Sequence, residues 1–396
     1  MPKIKVVRII TRMNIGGPAR QAVLLSSELG KKDFDCVLLT GSLPSNEGDM
    51  SYLTKESGVE PLVISEIGRE ISFLNDLSGL FNVYNVIKKE KPHIVHTHTA
   101  KAGTIGRLAA KMAGVPVIIH TFHGHVFHSY FNSLKTKFFL AVERLLTSMT
   151  DKIVVISEKQ KNEIKYYLGL KSDAKLALIP LGFDLRKFLT DKDENTLREK
   201  LDIPKDTLVI GIVGRLTAIK NHKMFLEAAR EIKRRNEGRA IKFLICGDGE
   251  LKGDLTKLSA DLGLQDDVMF TGWRKDIDAL YRIMDIAALT SLNEGTPVSI
   301  IEALASAKPA VVTDVGGIRD IVEDGKSGFI VPSGDIRAFT EAMTVLINDK
   351  DKREKFGIYG REYICRKHSK ERLINSIQDL YYSELARKKI KIGVEK

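Results

Sequence analysis

The sequence contains no long apolar run and few cysteines. No apolar stretch of the 396 residues reaches the ~18 residues that a membrane-spanning helix needs. The first residues, Met1 to Lys5, lack the pattern of a signal peptide and run straight into a strand-like segment, so we expect a cytoplasmic protein. Cys36, Cys246 and Cys365 are far apart and have no metal-ligand spacing. We expect them to be core residues or isolated thiols.

Motifs of several other protein classes are missing as well. No Gly-x-Gly-x-x-Gly follows the first strand-like segment, which argues against an NAD-dependent dehydrogenase. We also find no lysine context typical of a phosphorylase cofactor. The 62 basic and 51 acidic residues give a net charge of +11, which raises a nucleic-acid-binding alternative. The basic residues lack interleaved aromatic residues and many lie on helix faces, so we expect no nucleic-acid partner.

Apolar segments alternate with helical patterns along the whole chain, which predicts parallel sheets covered by helices. The fold class is therefore α/β, with two doubly wound, Rossmann-like domains. The segments predicted as strands are 5–10, 36–40, 93–96, 115–120 and 152–157 in the first half, and 208–213, 241–246, 268–271, 286–290 and 310–313 in the second half.

Two segments with proline, glycine and clustered charge, 179–184 and 191–195, predict a hinge near residues 184–203. We expect an N-terminal domain over 1–190 and a C-terminal domain over 191–365. A helical segment over 366–396 is expected to pack back on the N-terminal domain. Open α/β sheets bind ligands beyond the carboxyl ends of their strands, so the active site is expected in a cleft between the domains.

Two glutamates flank a predicted helix start near the C-terminal third. Glu294 precedes Gly295, and Glu302 lies in the second turn of the predicted helix. Thr296 is a favoured N-cap residue and Pro297 suits the first helical position. A helix N-terminus favours phosphate, and carboxylates accept hydrogen bonds from sugar hydroxyls. This pattern indicates a sugar-nucleotide site, although a solvated loop and a surface helix are the usual places for glutamate.

Two cations follow the apolar strand predicted over 208–213. Arg215 can bind phosphate oxygens through two N–H groups, and Lys220 adds a point charge. Both suit a diphosphate, and we find no Asp-x-Asp motif beside them. We therefore expect that no divalent metal is required.

These segments resemble the retaining glycosyltransferases of family 4, which have the GT-B fold, and the resemblance spans nearly all of the chain. Three motifs carry it: Gly16-Gly17-Pro18 after the first strand, Gly214 to Lys220, and Glu294 to Glu302. The resemblance implies that Arg215 and Lys220 hold the donor diphosphate, Glu302 the ribose, and Glu294 the transferred sugar. Ala307 departs from the glycine that the family commonly has, which bears on packing more than on chemistry.

Further donor contacts are expected from the same resemblance and from strand-to-helix turns. Gly16 and Gly17 let the backbone approach the diphosphate and acceptor. Gly247, Gly249, Trp273 and Arg274 are expected to line the nucleotide base, with packing an equal alternative for Trp273. The full donor-binding set is Gly16, Gly17, Arg215, Lys220, Gly247, Gly249, Trp273, Arg274, Glu294, Gly295, Thr296, Pro297, Val298 and Glu302.

Seven of the nine histidines lie between His93 and His128. The resemblance gives His123 a contact with the donor sugar, with His125 as a less certain neighbour. We name His123, Arg215, Lys220 and Glu294 as the candidate catalytic residues. Zinc is the alternative for the His-x-His pairs, but no cysteine is near. His96 and His98 are expected to be buried and satisfied by backbone hydrogen bonds.

The expected activity is retaining transfer of a sugar from a nucleotide diphosphate to a glycan or lipid-linked acceptor, in cell-surface polysaccharide biosynthesis. UDP is favoured by family frequency alone. A sugar-nucleotide epimerase of the same fold remains an alternative. Aromatic residues beside lysines over 126–140, with Arg144, Lys152, Lys159, Lys161 and Lys165, suggest an anionic membrane surface, although the same pattern suits an ordinary amphipathic helix.

Overall fold

The computed structural model of the chain describes residues 3–14, 17–43, 52–68, 72–123, 133–190 and 195–390. The chain divides into two compact units. Unit 1 comprises Met1–Gly182 and Glu371–Lys396, and unit 2 comprises Phe183–Lys370. Each unit has its own sheet and hydrophobic core.

Unit 1 contains a seven-stranded sheet in the order β3-β2-β1-β4-β5-β6-β7, and neighbouring strands are parallel. Its strands are β1 Ile4–Ile10, β2 Phe34–Thr40, β3 Leu62–Val63, β4 Ile94–His98, β5 Val117–Thr121, β6 Lys152–Val155 and β7 Leu176–Leu178. Its helices are α1 Gly17–Gly30, α2 Tyr52–Glu56, α3 Phe73–Glu90, α4 Ala100–Ala113, α5 Ser133–Ser148, α6 Glu158–Leu168 and α14 Lys370–Arg387.

Unit 2 contains a six-stranded sheet in the order β10-β9-β8-β11-β12-β13, again with parallel neighbours. Its strands are β8 Leu208–Val213, β9 Ile241–Cys246, β10 Val268–Gly272, β11 Ile286–Leu289, β12 Ala310–Thr313 and β13 Gly328–Val331. Its helices are α7 Asn195–Lys200, α8 His222–Arg235, α9 Lys252–Asp261, α10 Ile277–Ile283, α11 Val298–Ala305, α12 Ile336–Asn348 and α13 Lys350–His368.

Both sheets have the strand order of a Rossmann domain, in which the winding direction reverses beside the first strand. The reversal lies between β1 and β4 in unit 1 and between β8 and β11 in unit 2. The predicted α/β class with two Rossmann-like domains is confirmed. A crevice forms where the loops diverge at such a reversal, so these two strand pairs are where ligand sites are expected.

The division between the units lies earlier in the chain than the predicted boundary at residue 190. Leu185, Phe188, Leu197 and Ile203 are buried in the core of unit 2, so most of the predicted hinge belongs to that unit. The second boundary lies at 370 rather than 365 because α13 continues to His368. Helix α14 then packs on the sheet of unit 1, through the buried side chains of Leu373, Ile374, Ile377, Leu380, Tyr381 and Leu385.

All ten predicted strands are present, with ends that differ by at most a few residues. Three further strands, β3, β7 and β13, were not predicted, and they contain only two to four residues. In the described part of the chain, no helix combines the length and the apolarity needed to cross a membrane.

Candidate active site

The loops after β8 and β11 lie side by side at the reversal point of unit 2. The side-chain hydroxyl of Thr290 donates to the backbone carbonyls of Lys220 (3.1 Å) and Asn221 (3.0 Å). The amide of Leu292 donates to the carbonyl of Ile219 at 2.8 Å. Two predicted motifs that are far apart in sequence therefore form one continuous surface.

Lys220 and Glu294 form the central contact of this surface. Their Nζ and Oε1 atoms are 2.5 Å apart, and the side chains are 22% and 9% exposed. The hydroxyl of Ser291 donates to the same carboxylate oxygen at 2.7 Å. The sequence predicted separate roles for the two charged residues, and the structure brings them into direct contact. Because an ammonium group has three N–H donors, Lys220 keeps donors for a further anion.

Arg215 differs from Lys220 in its surroundings. It lies directly after β8 and is exposed. Among the described residues, no carboxylate forms an ion pair with its guanidinium. A guanidinium is always charged at neutral pH and can bind two phosphate oxygens at once. Arg215 is thus a fixed cation available to an anionic ligand beside Lys220.

Gly316 fixes the loop that carries Glu294, although it belongs to none of the predicted motifs. Its φ is +56°, and a Cβ atom there would be 1.7 Å from the carbonyl oxygen of Glu294. The next residue, Gly317, donates its amide to the carbonyl of Gly295 at 2.9 Å. A Cβ at Gly295 itself would meet no atom of the other described residues within 4 Å, its two chain neighbours aside. The chain therefore packs tightly behind Glu294 and leaves Gly295 open on its own side.

Helix α11 begins one residue later than predicted. Pro297, with ψ of 100°, is the N-cap rather than the first helical residue, and Val298 takes that position. Thr296 therefore precedes the cap, so its predicted role as the N-cap was wrong. The side chain of Pro297 makes no capping hydrogen bond. The first N–H groups of a helix have no intrahelical acceptor, which leaves them available to an anion.

Glu302 lies in the second turn of α11 and is held by a tyrosine. The hydroxyl of Tyr281, a buried residue of α10, donates to Oε2 of Glu302 at 3.2 Å. Burial and the nearby Glu302 charge raise the pKa of Tyr281 well above its ordinary value. The tyrosine therefore stays protonated and orients the carboxylate. Tyr281 was missed because nothing in the sequence relates it to Glu302.

The glycines after β9 have a packing role in the structure. A Cβ at Gly247, where φ is +146°, would be 1.9 Å from the carbonyl oxygen of Gly214. A Cβ at Gly249 would be 2.5 Å from the carbonyl oxygen of Leu216. Both glycines thus allow the neighbouring loop that carries Arg215 to approach closely.

The aromatic and cationic residues after β10 lie near the surface of unit 2. Trp273 is 60% exposed, so it is not a core residue. The guanidinium of Arg274 pairs with the carboxylate of Asp276 at 2.5 Å. The predicted contact of both residues with a nucleotide base remains a prediction.

Unit 1 carries a second group of polar residues at its own reversal point. Thr11 follows β1, and Thr99 follows β4 with a φ of +66°, which is rare for a β-branched residue. Their hydroxyl oxygens are 2.6 Å apart. Backbone strain of this kind is often found at functional sites. Gly17 begins α1 nearby in sequence, whereas Gly16 and His125 lie outside the described residues.

A network of buried rings surrounds Arg8 in β1. Its guanidinium contacts Nδ1 of His96 (3.3 Å), Nε2 of His98 (3.4 Å) and the hydroxyl of Tyr381 (3.2 Å). Nδ1 of His98 is 2.9 Å from Nε2 of His123. His96 and His98 are buried, as expected. The expected backbone hydrogen bonds were wrong, because the two rings bond to side chains instead. Arg8 was missed because an isolated cation in an apolar strand gives no motif.

Burial keeps these imidazoles neutral. It lowers the pKa of His96, His98 and His120 well below the ordinary value, and the charge of Arg8 lowers the first two further. Burial alone lowers the pKa of His123 to about 3. Among the described residues, no group of three or more His, Cys, Asp or Glu side chains has a geometry that could hold a metal ion.

Most cations of the suggested membrane surface are engaged within unit 1. Lys161 and Lys165 pair with Asp173 at 2.9 and 2.6 Å, and Arg144 donates to the carbonyl of Tyr167 at 2.9 Å. Lys152 donates to the carbonyl of Ala174 at 2.7 Å. The aromatic segment 126–131 lies outside the described residues. These contacts favour the ordinary amphipathic surface over a dedicated basic patch.

Solved structures with the same architecture define the class of the fold. The chain is similar to Alr3699/HepE of Anabaena in complex with UDP, with a TM-score of 0.82 and 19% identity over 96% of this chain and 100% of that chain. It is also similar to the apo form of the lipopolysaccharide outer core galactosyltransferase WaaB, with a TM-score of 0.74, 18% identity and coverages of 96% and 100%. The fold is GT-B.

Sequence comparisons then identify the family. The family model described as Glycosyltransferase Family 4 matches residues 15–187, and the model described as Glycosyl transferases group 1 matches residues 193–363. The chain is 34% identical to the Escherichia coli UDP-Gal:alpha-D-GlcNAc-diphosphoundecaprenol alpha-1,3-galactosyltransferase over 319 residues, which is 78% of this chain and 82% of that protein. It is 28% identical to the capsular polysaccharide biosynthesis glycosyltransferase CapM of Staphylococcus aureus, over 89% of this chain and 97% of CapM. The chain belongs to glycosyltransferase family 4 and is a glycosyltransferase.

Proposed function

We propose that this enzyme moves a sugar from a UDP-sugar to a lipid-linked glycan, with retention at the anomeric carbon, in bacterial cell-surface polysaccharide biosynthesis. The observation that carries the proposal is the contact of Lys220 with Glu294 beside the open N-terminus of α11. The E. coli relative supports the choice of donor and acceptor, since its name specifies UDP-galactose and a diphosphoundecaprenol-linked sugar. The name of CapM supports the pathway.

The donor diphosphate binds at the loops after β8 and β11. Arg215 is exposed and free of ion pairs among the described residues, Lys220 has further donors, and the first turn of α11 presents backbone N–H groups. The three groups follow the adjacent strands β8 and β11, so they supply positive charge at one edge of the sheet. Charge that is already oriented stabilises a leaving diphosphate without reorganisation during the reaction. This arrangement makes a divalent metal unnecessary in our proposal.

The two glutamates hold the hydroxyl-bearing parts of the donor. Glu302 accepts from the ribose hydroxyls, and Tyr281 orients its carboxylate by donating to Oε2. Glu294 faces the transferred sugar while its Oε1 is held by Lys220 and Ser291. A carboxylate that is already bound to a cation and a hydroxyl is a poor nucleophile, which fits a positioning role for Glu294.

Transfer proceeds by attack on the same face as the leaving group. The acceptor hydroxyl oxygen bonds to the anomeric carbon while the bond from that carbon to the diphosphate oxygen breaks. The proton of the acceptor passes to an oxygen of the departing diphosphate. Arg215, Lys220 and the N-terminus of α11 stabilise the negative charge that collects on this group.

The test is a transfer assay with defined substrates. Purified enzyme is incubated with UDP-galactose, UDP-glucose or UDP-N-acetylglucosamine and a synthetic polyprenyl-diphosphate-linked N-acetylhexosamine, and products are measured by mass spectrometry. We expect one added hexose or N-acetylhexosamine with one of the donors, in an α-linkage by NMR. A β-linked product would contradict retention. Conversion of the UDP-sugar to another UDP-sugar without acceptor would identify an epimerase instead.

A further inference from the structure

The side chains of Arg8, His98 and His123 form a hydrogen-bonded chain. It spans three neighbouring strands of unit 1 and ends at the carboxyl edge of the sheet. Arg8 lies in β1, His98 is the last residue of β4, and His123 follows β5. The hydrogen bonds along it are 3.4 Å from the Arg8 guanidinium to Nε2 of His98, and 2.9 Å from Nδ1 of His98 to Nε2 of His123. His98 therefore uses both of its ring nitrogens in hydrogen bonds, and His123 uses Nε2.

A guanidinium can only donate hydrogen bonds, which gives this chain a direction. If Arg8 donates to Nε2 of His98, that nitrogen is unprotonated, and a neutral His98 then carries its proton on Nδ1. Nδ1 of His98 consequently donates to Nε2 of His123. A neutral His123 must then carry its own proton on Nδ1. Which nitrogen of an imidazole is protonated is set by the hydrogen bond that the other nitrogen makes.

The last group of this hydrogen-bonded chain is the Nδ1–H group of His123, which has no acceptor among the described residues. Nδ1 of His123 is buried and makes no hydrogen bond with any described residue. A buried donor without a partner is costly, typically about 1–3 kcal/mol, so it is seldom kept without a function. The lowered pKa of His123 independently keeps the ring neutral, which the argument on proton positions requires.

We propose that Arg8 is a positioning residue that, through His98, fixes the proton of His123 on Nδ1, so that His123 serves as a hydrogen-bond donor to a substrate oxygen and not as a base. The functional part of this inference rests on the proposed function, whereas the proton position does not. Without Arg8, the hydrogen bond between the two imidazoles can reverse, so that Nε2 of His123 donates to Nδ1 of His98. Nδ1 of His123 would then offer a lone pair where the substrate needs a donor.

Arg8 also contacts His96, so the protonation of His96 can be compared with that of His98 in the same strand. Arg8 and the hydroxyl of Tyr381 both contact Nδ1 of His96, at 3.3 and 2.6 Å, and Nε2 of His96 is 2.7 Å from the hydroxyl of Thr121. The same reasoning places the His96 proton on Nε2. The two histidines of one strand are therefore predicted to be opposite tautomers, because Arg8 contacts different nitrogens of each.

The test is a long-range ¹⁵N–¹H correlation spectrum of ring-labelled histidines, which distinguishes protonated from unprotonated nitrogens. A His123→Asn variant identifies the signals of His123. We expect wild-type His123 to be protonated on Nδ1 in the absence of substrate. A proton on Nε2 of wild-type His123 would overturn the inference without any appeal to activity.

Variants then test the role of Arg8. Arg8→Met should move a substantial part of His123 to the Nε2-protonated form and lower kcat about 10-fold or more, with a smaller change in donor KM. Ser26→Ala is the matched control, since it removes one contact of the same guanidinium at 3.2 Å and should leave the tautomer unchanged. An unchanged tautomer in folded Arg8→Met, or unchanged kcat with a changed tautomer, would contradict the proposal.

A second pair of variants covers the case in which Arg8→Met does not fold. An asparagine at position 98 places an amide N–H near the site of Nδ1, whereas a leucine places none. His98→Asn should therefore preserve the Nδ1 proton of His123 and most of kcat, and His98→Leu should lose both. If both variants lose the Nδ1 proton of His123 and kcat to the same extent, His98 contributes only packing, and the proposal is contradicted. Absence of transfer by the wild-type enzyme would refute the proposed function and leave the tautomer result intact.

Discussion

The reversal points of the two sheets use positive charge in opposite ways. In unit 1, Arg8 is fully buried among neutral rings, and no carboxylate among the described residues pairs with it. In unit 2, Lys220 is partly exposed on a carboxylate, and Arg215 is exposed. A buried cation cannot exchange partners, so it fixes hydrogen-bond directions. An exposed cation can bind and release an anion in each catalytic cycle.

The comparison also shows how similar topologies acquire different roles. Both sheets reverse their winding beside the first strand. In unit 1, burial lowers the pKa of four histidines, His96, His98, His120 and His123, and keeps them neutral. In unit 2, burial and the charge of Lys220 lower the pKa of His222 to about 4. The buried polar side chains of unit 1 therefore fix the positions of protons, whereas the charged side chains of unit 2 bind an anion.

The largest expected effect comes from removing the exposed cations of unit 2. Arg215→Ala and Lys220→Ala should each lower turnover by about 10²–10³-fold, because each removes an oriented charge from the leaving diphosphate. The measurement is steady-state kinetics together with the thermal midpoint. Lys223→Ala is the matched control, since Lys223 is exposed on α8 only three residues from Lys220. Near-wild-type rates in either variant would refute the diphosphate assignment.

Removing the glutamates should separate binding from turnover. Glu302→Ala should weaken UDP binding by roughly 10-fold or more, because a hydrogen bond to a charged group contributes about 1.5–3 kcal/mol. Glu294→Ala should mainly lower kcat. Titration calorimetry and kinetics on both variants distinguish the roles, and Tyr281→Phe should give a weaker form of the Glu302 effect. Equal UDP affinity in wild type and Glu302→Ala would exclude the ribose contact.

Acid should affect unit 1 before unit 2. Folded His96, His98, His120 and His123 resist protonation, whereas the unfolded chain binds a proton on each as the pH falls through about 6.5. The contribution of these histidines to the free energy of unfolding is therefore fully present above that pH. Below it, the free energy of unfolding decreases by up to about 1.4 kcal/mol per pH unit for each histidine. Hydrogen exchange at pH 7.5 and 5.5, corrected for intrinsic rates, should show β4 and β5 losing protection first. Earlier loss in β8 and β9 would contradict this difference.

The smallest expected effect is that of chelation. EDTA treatment should leave most of the activity, since side-chain cations and a helix N-terminus neutralise the diphosphate. The assay compares treated enzyme with and without added Mg²⁺ or Mn²⁺. Complete loss that either ion restores would show that the cations of unit 2 are insufficient. Stoichiometric zinc in the purified protein would revive a metal role for the histidines.

The sequence predicted the parts of the molecule that are encoded locally. The two Rossmann-like domains and the segments with Arg215, Lys220, Glu294 and Glu302 follow from short patterns of strand, turn and helix. Strands β3 and β7, with two and three residues, are too short for such a pattern. The start of α11 was misplaced by one residue because the extended ψ of Pro297 depends on the loop before it.

The remaining features depend on contacts between distant residues. Lys220 and Glu294 are 74 positions apart, and Arg8 meets His98 across 90 positions and Tyr381 across 373. Nothing in the residues around Arg8 indicates that a helix from the other end of the chain will cover it. The packing of Gly316 behind Glu294 is hidden in the same way.

The central claim is that the loops after β8 and β11 bind a diphosphate, and calorimetry with a series of nucleotides tests it directly. Wild-type enzyme is titrated with UDP, UMP and uridine, and so is Lys220→Ala. We expect UDP to bind the wild type at least about 10-fold more tightly than UMP, and Lys220→Ala to largely remove this difference. Equal affinities for UDP and UMP in the wild type, or an undiminished preference for UDP in Lys220→Ala, would contradict it.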